Sequence, residues 1–184
     1  EATKIFGENP CQDYTFIVHN LGTGSGGLEH LNSTVLAVNR DAYQTEAGYR
    51  RFMALVAHEY FHLWNVKRLR PSALGPFDYD KENYTRMLGV SEGFTAYYEN
   101  LLVRRAGLYG EDAYLRDVAA YYAEHENAPG SQVQSVAEAS FDAWIKYYRP
   151  DENSANTSIS YYLKGALVSL LLDMQIRRAT AGTH

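Results

Sequence analysis

Five residues, His58-Glu59-Tyr60-Phe61-His62, hold side chains whose types and spacing could do chemistry. Residues four apart on a helix share a face and lie about 6 Å apart along its axis. His58 and His62 could therefore turn ring nitrogens toward one cation. The string is H-E-x-x-H, in which two histidines hold zinc and the glutamate serves as general base toward water. Residues 52–64 contain no Gly or Pro and are apolar nearly all round, which predicts a buried helix. His58, His62 and Asn65 fall on one stripe of that helix, with Glu59 beside it. Two satisfied core histidines and a paired glutamate are the bland alternative, and an apolar helix around all three favours zinc.

A catalytic zinc keeps three protein ligands and an open position. The metzincin continuation needs glycine at position 65 and histidine at 68. This chain has Asn65 and Arg68, which excludes that class. A carboxylate from a following helix is the remaining common choice. Glu92 is the best candidate, because it starts an apolar stretch and precedes Gly93. Glu82 and Asp80, in a loop, are the runners-up. Glu99, two turns beyond Glu92, is placed to hydrogen-bond a ligand histidine from behind, and an ordinary surface acid is its equal alternative.

The elements that must position these residues read as follows. Residues 14–18 and 33–38 are rich in β-formers and predict two strands. Between them, residues 21–27 are glycine-rich. No G-K-[ST] follows, so a phosphate cradle is disfavoured against a flexible turn, or a place where Gly26 and Gly27 let backbone approach a ligand. Glu29 lies between these glycines and the second strand. The metal-binding helix is expected over about 45–68, with Lys67, Arg68 and Arg70 as a basic C-terminal cap and Pro71 as its stop. Residues 72–83 read as a loop. Further helices are expected from 91 to the glycines at 107 and 110, over 111–126, over 133–148, and over 158–178. A polar loop is expected over 150–157. The last helix has an apolar face of Leu163, Ala166, Leu167, Leu170 and Met174. Four Tyr-Tyr pairs begin at 97, 121, 147 and 161 and are expected mostly in packing roles.

The chain has 184 residues, 46% hydrophobic and 21% charged, a globular composition for one domain. A net charge of −5 argues against nucleic acid as partner. The lone Cys11 excludes an internal disulfide. No run is long enough to span a membrane. The chain starts at Glu1 without a signal peptide, so it is expected to be soluble and processed or cut from something longer, with its targeting segment missing. Cytoplasm and periplasm are both compatible with this, and the oligomeric state is not encoded in any motif.

Residues 58–68 (HEYFHLWNVKR) and 91–98 (SEGFTAYY) resemble the glycyl aminopeptidase family of zinc peptidases, PDZ-bearing relatives of the aminopeptidase N clan. The similarity runs over residues 26–177. It implies a thermolysin-like (gluzincin) α+β catalytic domain over 1–184, a piece of a longer multidomain chain. Its β-rich part would be 1–44 and its helical part 45–184. It implies one zinc held by His58, His62 and Glu92, with Glu59 as general base. Gly26-Gly27-Leu28-Glu29-His30 is similar to the clan's G-x-M-E-N segment, whose glutamate binds the substrate's free amino group. Here Leu28 replaces Met and His30 replaces Asn. Tyr162-Leu163-Lys164-Gly165 resembles Tyr-x-Lys-Gly, whose tyrosine stabilises the oxyanion; Tyr161 is its neighbour. Gly89 stands where many relatives carry a large aromatic. The resemblance implies an aminopeptidase acting on peptides with a free N-terminus and a small first residue, Gly or Ala. The alternatives are an endopeptidase of the same fold and a catalytically silent zinc domain that binds peptides.

Overall fold

The computed structural model describes residues 1–183 as mixed α and β, a small sheet followed by a mostly helical part. It divides into two compact units: Glu1–Arg70 with Tyr98–Tyr114, and Pro71–Tyr97 with Leu115 onward.

The first unit begins with a short helix, α1 (Ala2–Phe6), that the sequence reading did not anticipate. Strands β1 (Thr15–Leu21), β2 (Gly26–Glu29) and β3 (Ser33–Asn39) follow. β3 is central, parallel to β1 and antiparallel to β2. Every second residue of β3 (Thr34, Leu36, Val38) is buried, as a half-covered strand requires. The glycine run is not all turn: Gly26 and Gly27 open β2. Gly27 lies opposite Leu36 and Glu29 opposite Thr34. Opposed residues share a face, so Gly27 and Glu29 lie on the covered side of the sheet, and Leu28 on the exposed one.

Helix α2 (Glu46–Phe61) is capped by Thr45, whose side chain accepts the Gly48 amide at 3.0 Å. It is shorter than the expected 45–68, and Pro71 does not end it. His62 is its C-cap. The chain then folds into a bonded turn, with Lys67 N donating to His62 O at 3.0 Å and Leu69 N to Trp64 O at 2.8 Å. Leu63 and Trp64 point into a core with Phe61, Leu102 and Ala2. Phe6 stacks on Trp64 at 4.8 Å and Tyr98 on Phe61 at 4.8 Å. Leu63 and Trp64 are thus buried from this turn rather than from a continued helix. Of the basic cluster, Arg68 does reach a carbonyl near the helix end (Leu63 O, 2.7 Å), whereas Lys67 turns to Glu29.

In the second unit, α3 (Leu88–Ser91) is followed by Glu92, a single residue outside helix, and then α4 (Gly93–Arg105), which passes into the first unit at Tyr98. Thus the expected helix from 91 is broken at Glu92. Helix α5 (Glu111–Asn127) also belongs to both units. The single helix expected over 133–148 is instead α6 (Gly130–Val133), α7 (Val136–Phe141) and turns. Ser135 and Glu138 form a capping box that starts α7 afresh, and extended Gln134 accepts the Ile159 amide at 3.0 Å. The expected polar loop contains α8 (Ser154–Thr157). Last comes α9 (Tyr161–Ala179), capped by Ser160. Leu163 and Ala166 of its apolar face are buried, but Met174 is exposed. Among the described residues no helix is long and apolar enough to cross a membrane.

Glycines allow α3, the start of α4, and α9 to touch backbone to backbone. A Cβ on Gly93 would lie 2.5 Å from Gly165 Cα, and one on Gly165 would lie 2.5 Å from Gly89 O. A Cβ on Gly89 would overlap Val136, so a large aromatic there has no room. Gly165→Ala is expected to lower stability by about 1–3 kcal/mol, the cost of overpacking against rigid backbone, read as a lower denaturation midpoint.

Candidate metal centre

His58, Glu59 and His62 come from one turn of α2 and are all buried, at 8%, 4% and 1% exposure. One ligand atom from each lies within 4.8 Å of the others, and the group could hold a metal ion. The two rings meet edge-on, centroids 4.7 Å apart. His58 Nδ1 is 2.6 Å from Glu99 Oε2, a carboxylate on α4. His62 Nδ1 is 2.8 Å from the Asn65 carbonyl. With Nδ1 committed in each ring, Nε2 is the nitrogen each would present to a cation. A carboxylate behind one imidazole and a carbonyl behind the other is how metal-binding histidines are oriented and made more basic. The donor set therefore fits a divalent metal that favours imidazole.

Glu59 is held from two sides. Gly27 lies against it, and a Cβ there would overlap the Glu59 carboxylate. Tyr14 donates its hydroxyl to the Glu59 carbonyl at 3.3 Å, and burial, then the charge of Glu59, pushes the Tyr14 pKa up. Two residues along β2, on the face Gly27 shares, Glu29 pairs with Lys67 at 3.3 Å.

The second unit holds Glu92 and Tyr162. Glu92 is half-buried at the break between α3 and α4. Tyr162 is half-buried in the first turn of α9. Burial first, and then the nearby Glu92 charge, push the Tyr162 pKa up from its usual value. Tyr161 is fully buried in a core of Ala139, Ala143, Ile159 and Leu163, its hydroxyl 3.1 Å from that of Tyr148. Lys164 donates to the Ser131 and Gln134 carbonyls, at 2.7 and 2.8 Å. Asp80 and Glu82 are exposed on the loop before α3.

The family model of M61 glycyl aminopeptidases matches residues 51–168. The chain belongs to this family. That span contains the H-E-x-x-H helix, Glu92, Glu99 and Tyr162, while Gly27 and Glu29 lie before it. The chain is also similar to the crystal structure of an aminopeptidase N family protein from Idiomarina loihiensis, with 40% identity and a TM-score of 0.95. The match takes in 100% of this chain and 32% of that one, so the chain spans about a third of that protein's length. No curated protein matches it. The chain is thus a member of a peptidase family.

Three contributors escaped the sequence reading: the Asn65 carbonyl, Lys67 as the partner of Glu29, and the close approach of Gly27 to Glu59. A backbone carbonyl has no residue signature, and Lys67 looked like a helix cap because the helix seemed to reach it. Glu99→Ala is expected to weaken metal affinity about 10- to 100-fold, measured by competition with a chelator, through loss of the carboxylate behind His58.

Proposed function

We propose that the chain is the catalytic part of a zinc-dependent aminopeptidase with a thermolysin-like (gluzincin) fold, preferring Gly or Ala as first residue. The observation that carries this is the buried trio on α2, with each histidine oriented through Nδ1 and the glutamate between them. His58 and His62 would hold the zinc. Glu92 would be the third ligand, a role that rests on the Ser-Glu-Gly resemblance and on its place at a helix break. Zinc, when bound, supplies Lewis-acid polarisation of the carbonyl and makes water a better nucleophile at neutral pH. Glu59 takes a proton from the attacking water and returns it to the leaving amine. Tyr162 donates its O–H to the developing oxyanion. Glu29 accepts the substrate's α-ammonium, which limits cleavage to the first bond. In this reading residues 1–44 supply the substrate-anchoring sheet and 45–184 the metal and general base, with further domains in the longer protein.

The Glu29–Lys67 pair supports a second reading. If Glu29 only braces the loop, the same centre would serve an endopeptidase. Wild-type rates on Gly- and Ala-anilides against an N-acetylated peptide separate the two.

His58→Ala, His62→Ala and Glu92→Ala are each expected to lose zinc, measured as metal content. Glu59→Gln should keep zinc and lose about 10²–10⁴-fold in turnover, since an amide cannot take the proton. Stoichiometric zinc in Glu92→Ala would overturn that ligand assignment.

Tyr162→Phe should lower kcat about 10²- to 10³-fold with little change in KM. Tyr161→Phe should be mild.

A further inference from the structure

We propose that Lys67 is a positioning residue for Glu29, and that the turn carrying it ties the free-amine subsite to the metal ligand His62. The inference rests on the aminopeptidase reading of Glu29 and deepens it. Lys67 Nζ is 3.3 Å from Glu29 Oε1, with the two side chains 20% and 17% exposed. A pair this sheltered is screened little by salt, and removing one partner leaves the other charge partly buried and unbalanced. Holding Oε1 orients the carboxylate and leaves Oε2 for a substrate ammonium.

The geometry of the turn shows that Lys67 is placed there rather than merely nearby. Asn65 O receives His62 Nδ1, Lys67 N donates to His62 O, and Asn65 bridges Leu69. Between Asn65 and Lys67, Val66 has φ +125°, a conformation that β-branched residues rarely adopt. Its amide donates to Leu69 O at 3.1 Å. Arg68 fastens the same turn to Leu63 O at 2.7 Å and to Pro10 O at 3.4 Å. So three consecutive residues act on two sites. Asn65 orients a metal ligand, Val66 takes the unusual backbone angle, and Lys67 orients the amine anchor. On the other side, β2 carries Gly27 against Glu59 and Glu29 against Lys67. The placement of general base and ammonium anchor is then set by one strand and one turn.

The test uses the full chain with Lys67→Met, Lys67→Arg, Glu29→Gln and the double variant Lys67→Met/Glu29→Gln. The readouts are kcat and KM on Gly-anilide and its N-acetyl analogue. In parallel, glycinamide and N-acetylglycinamide are titrated into metal-free chain by NMR. Lys67→Met is expected to raise KM for Gly-anilide and Kd for glycinamide about 10-fold, the scale of one charge-assisted hydrogen bond, with kcat nearly unchanged. The acetylated ligands should not respond. Lys67→Arg should restore most of the loss, and the double variant should be no worse than Glu29→Gln alone, because Lys67 acts through Glu29. Equal effects on free and acetylated ligands, no effect at all, or losses that add fully in the double variant would each overturn the inference. A folding defect falls in the first of these. Wild type that cleaves both anilides equally and binds glycinamide no better than its acetylated analogue would overturn the aminopeptidase reading and this inference with it, whereas selective wild type with an unresponsive Lys67→Met would overturn this inference alone.

Discussion

Two imidazoles and a carboxylate, each less than a tenth exposed, lie within five residues on one helix. Burying such groups is costly unless each polar atom is met by a partner. Much of the first unit is arranged around that constraint. Glu99 meets one ring, a carbonyl of the following turn meets the other, and Gly27 leaves the space that the Glu59 carboxylate fills. The stacked aromatics Phe6, Trp64, Phe61 and Tyr98 pack around the end of α2 and the turn after it, so apolar burial there offsets part of the polar cost.

The second unit solves a different problem, bringing backbones close. Gly89, Gly93 and Gly165 remove the side chains that would separate α3, α4 and α9. The glycines of Ser-Glu-Gly and of Tyr-x-Lys-Gly are therefore partners of each other. This close approach brings Glu92 near enough for its charge to act on Tyr162. Lys164 adds a second tie by bonding the carbonyls at the end of α6. The two adjacent tyrosines of α9 then part company. Tyr161 fills the core and bonds Tyr148, and Tyr162 remains half-buried.

Irregular backbone occurs at two places in the proposed site. Glu92 interrupts two helices, and Val66 has a positive φ one residue from Asn65. Departures from regular geometry persist where surrounding bonds over-determine them, as the hydrogen bonds of the turn after α2 do.

The sequence by itself determined what depends on local spacing. A period of 3.6 put His58 and His62 on one face of an apolar helix, alternation marked β3, and the motif strings named the family. Helix ends were another matter. Residues 62–68 contain no Gly or Pro, so nothing local marks the helix end; it gives way at His62 to a hydrogen-bonded turn from which Leu63 and Trp64 enter the core and Lys67 meets Glu29. The capping box at Ser135 and Glu138 is a local signal that the expectation of one helix over 133–148 passed over. Which atom backs each histidine, why position 27 must be glycine, and which cation faces Glu29 were decided only by tertiary structure. Each is a contact between segments about 30 to 40 residues apart, or one made by a backbone carbonyl, and neither leaves a pattern in the order of side chains.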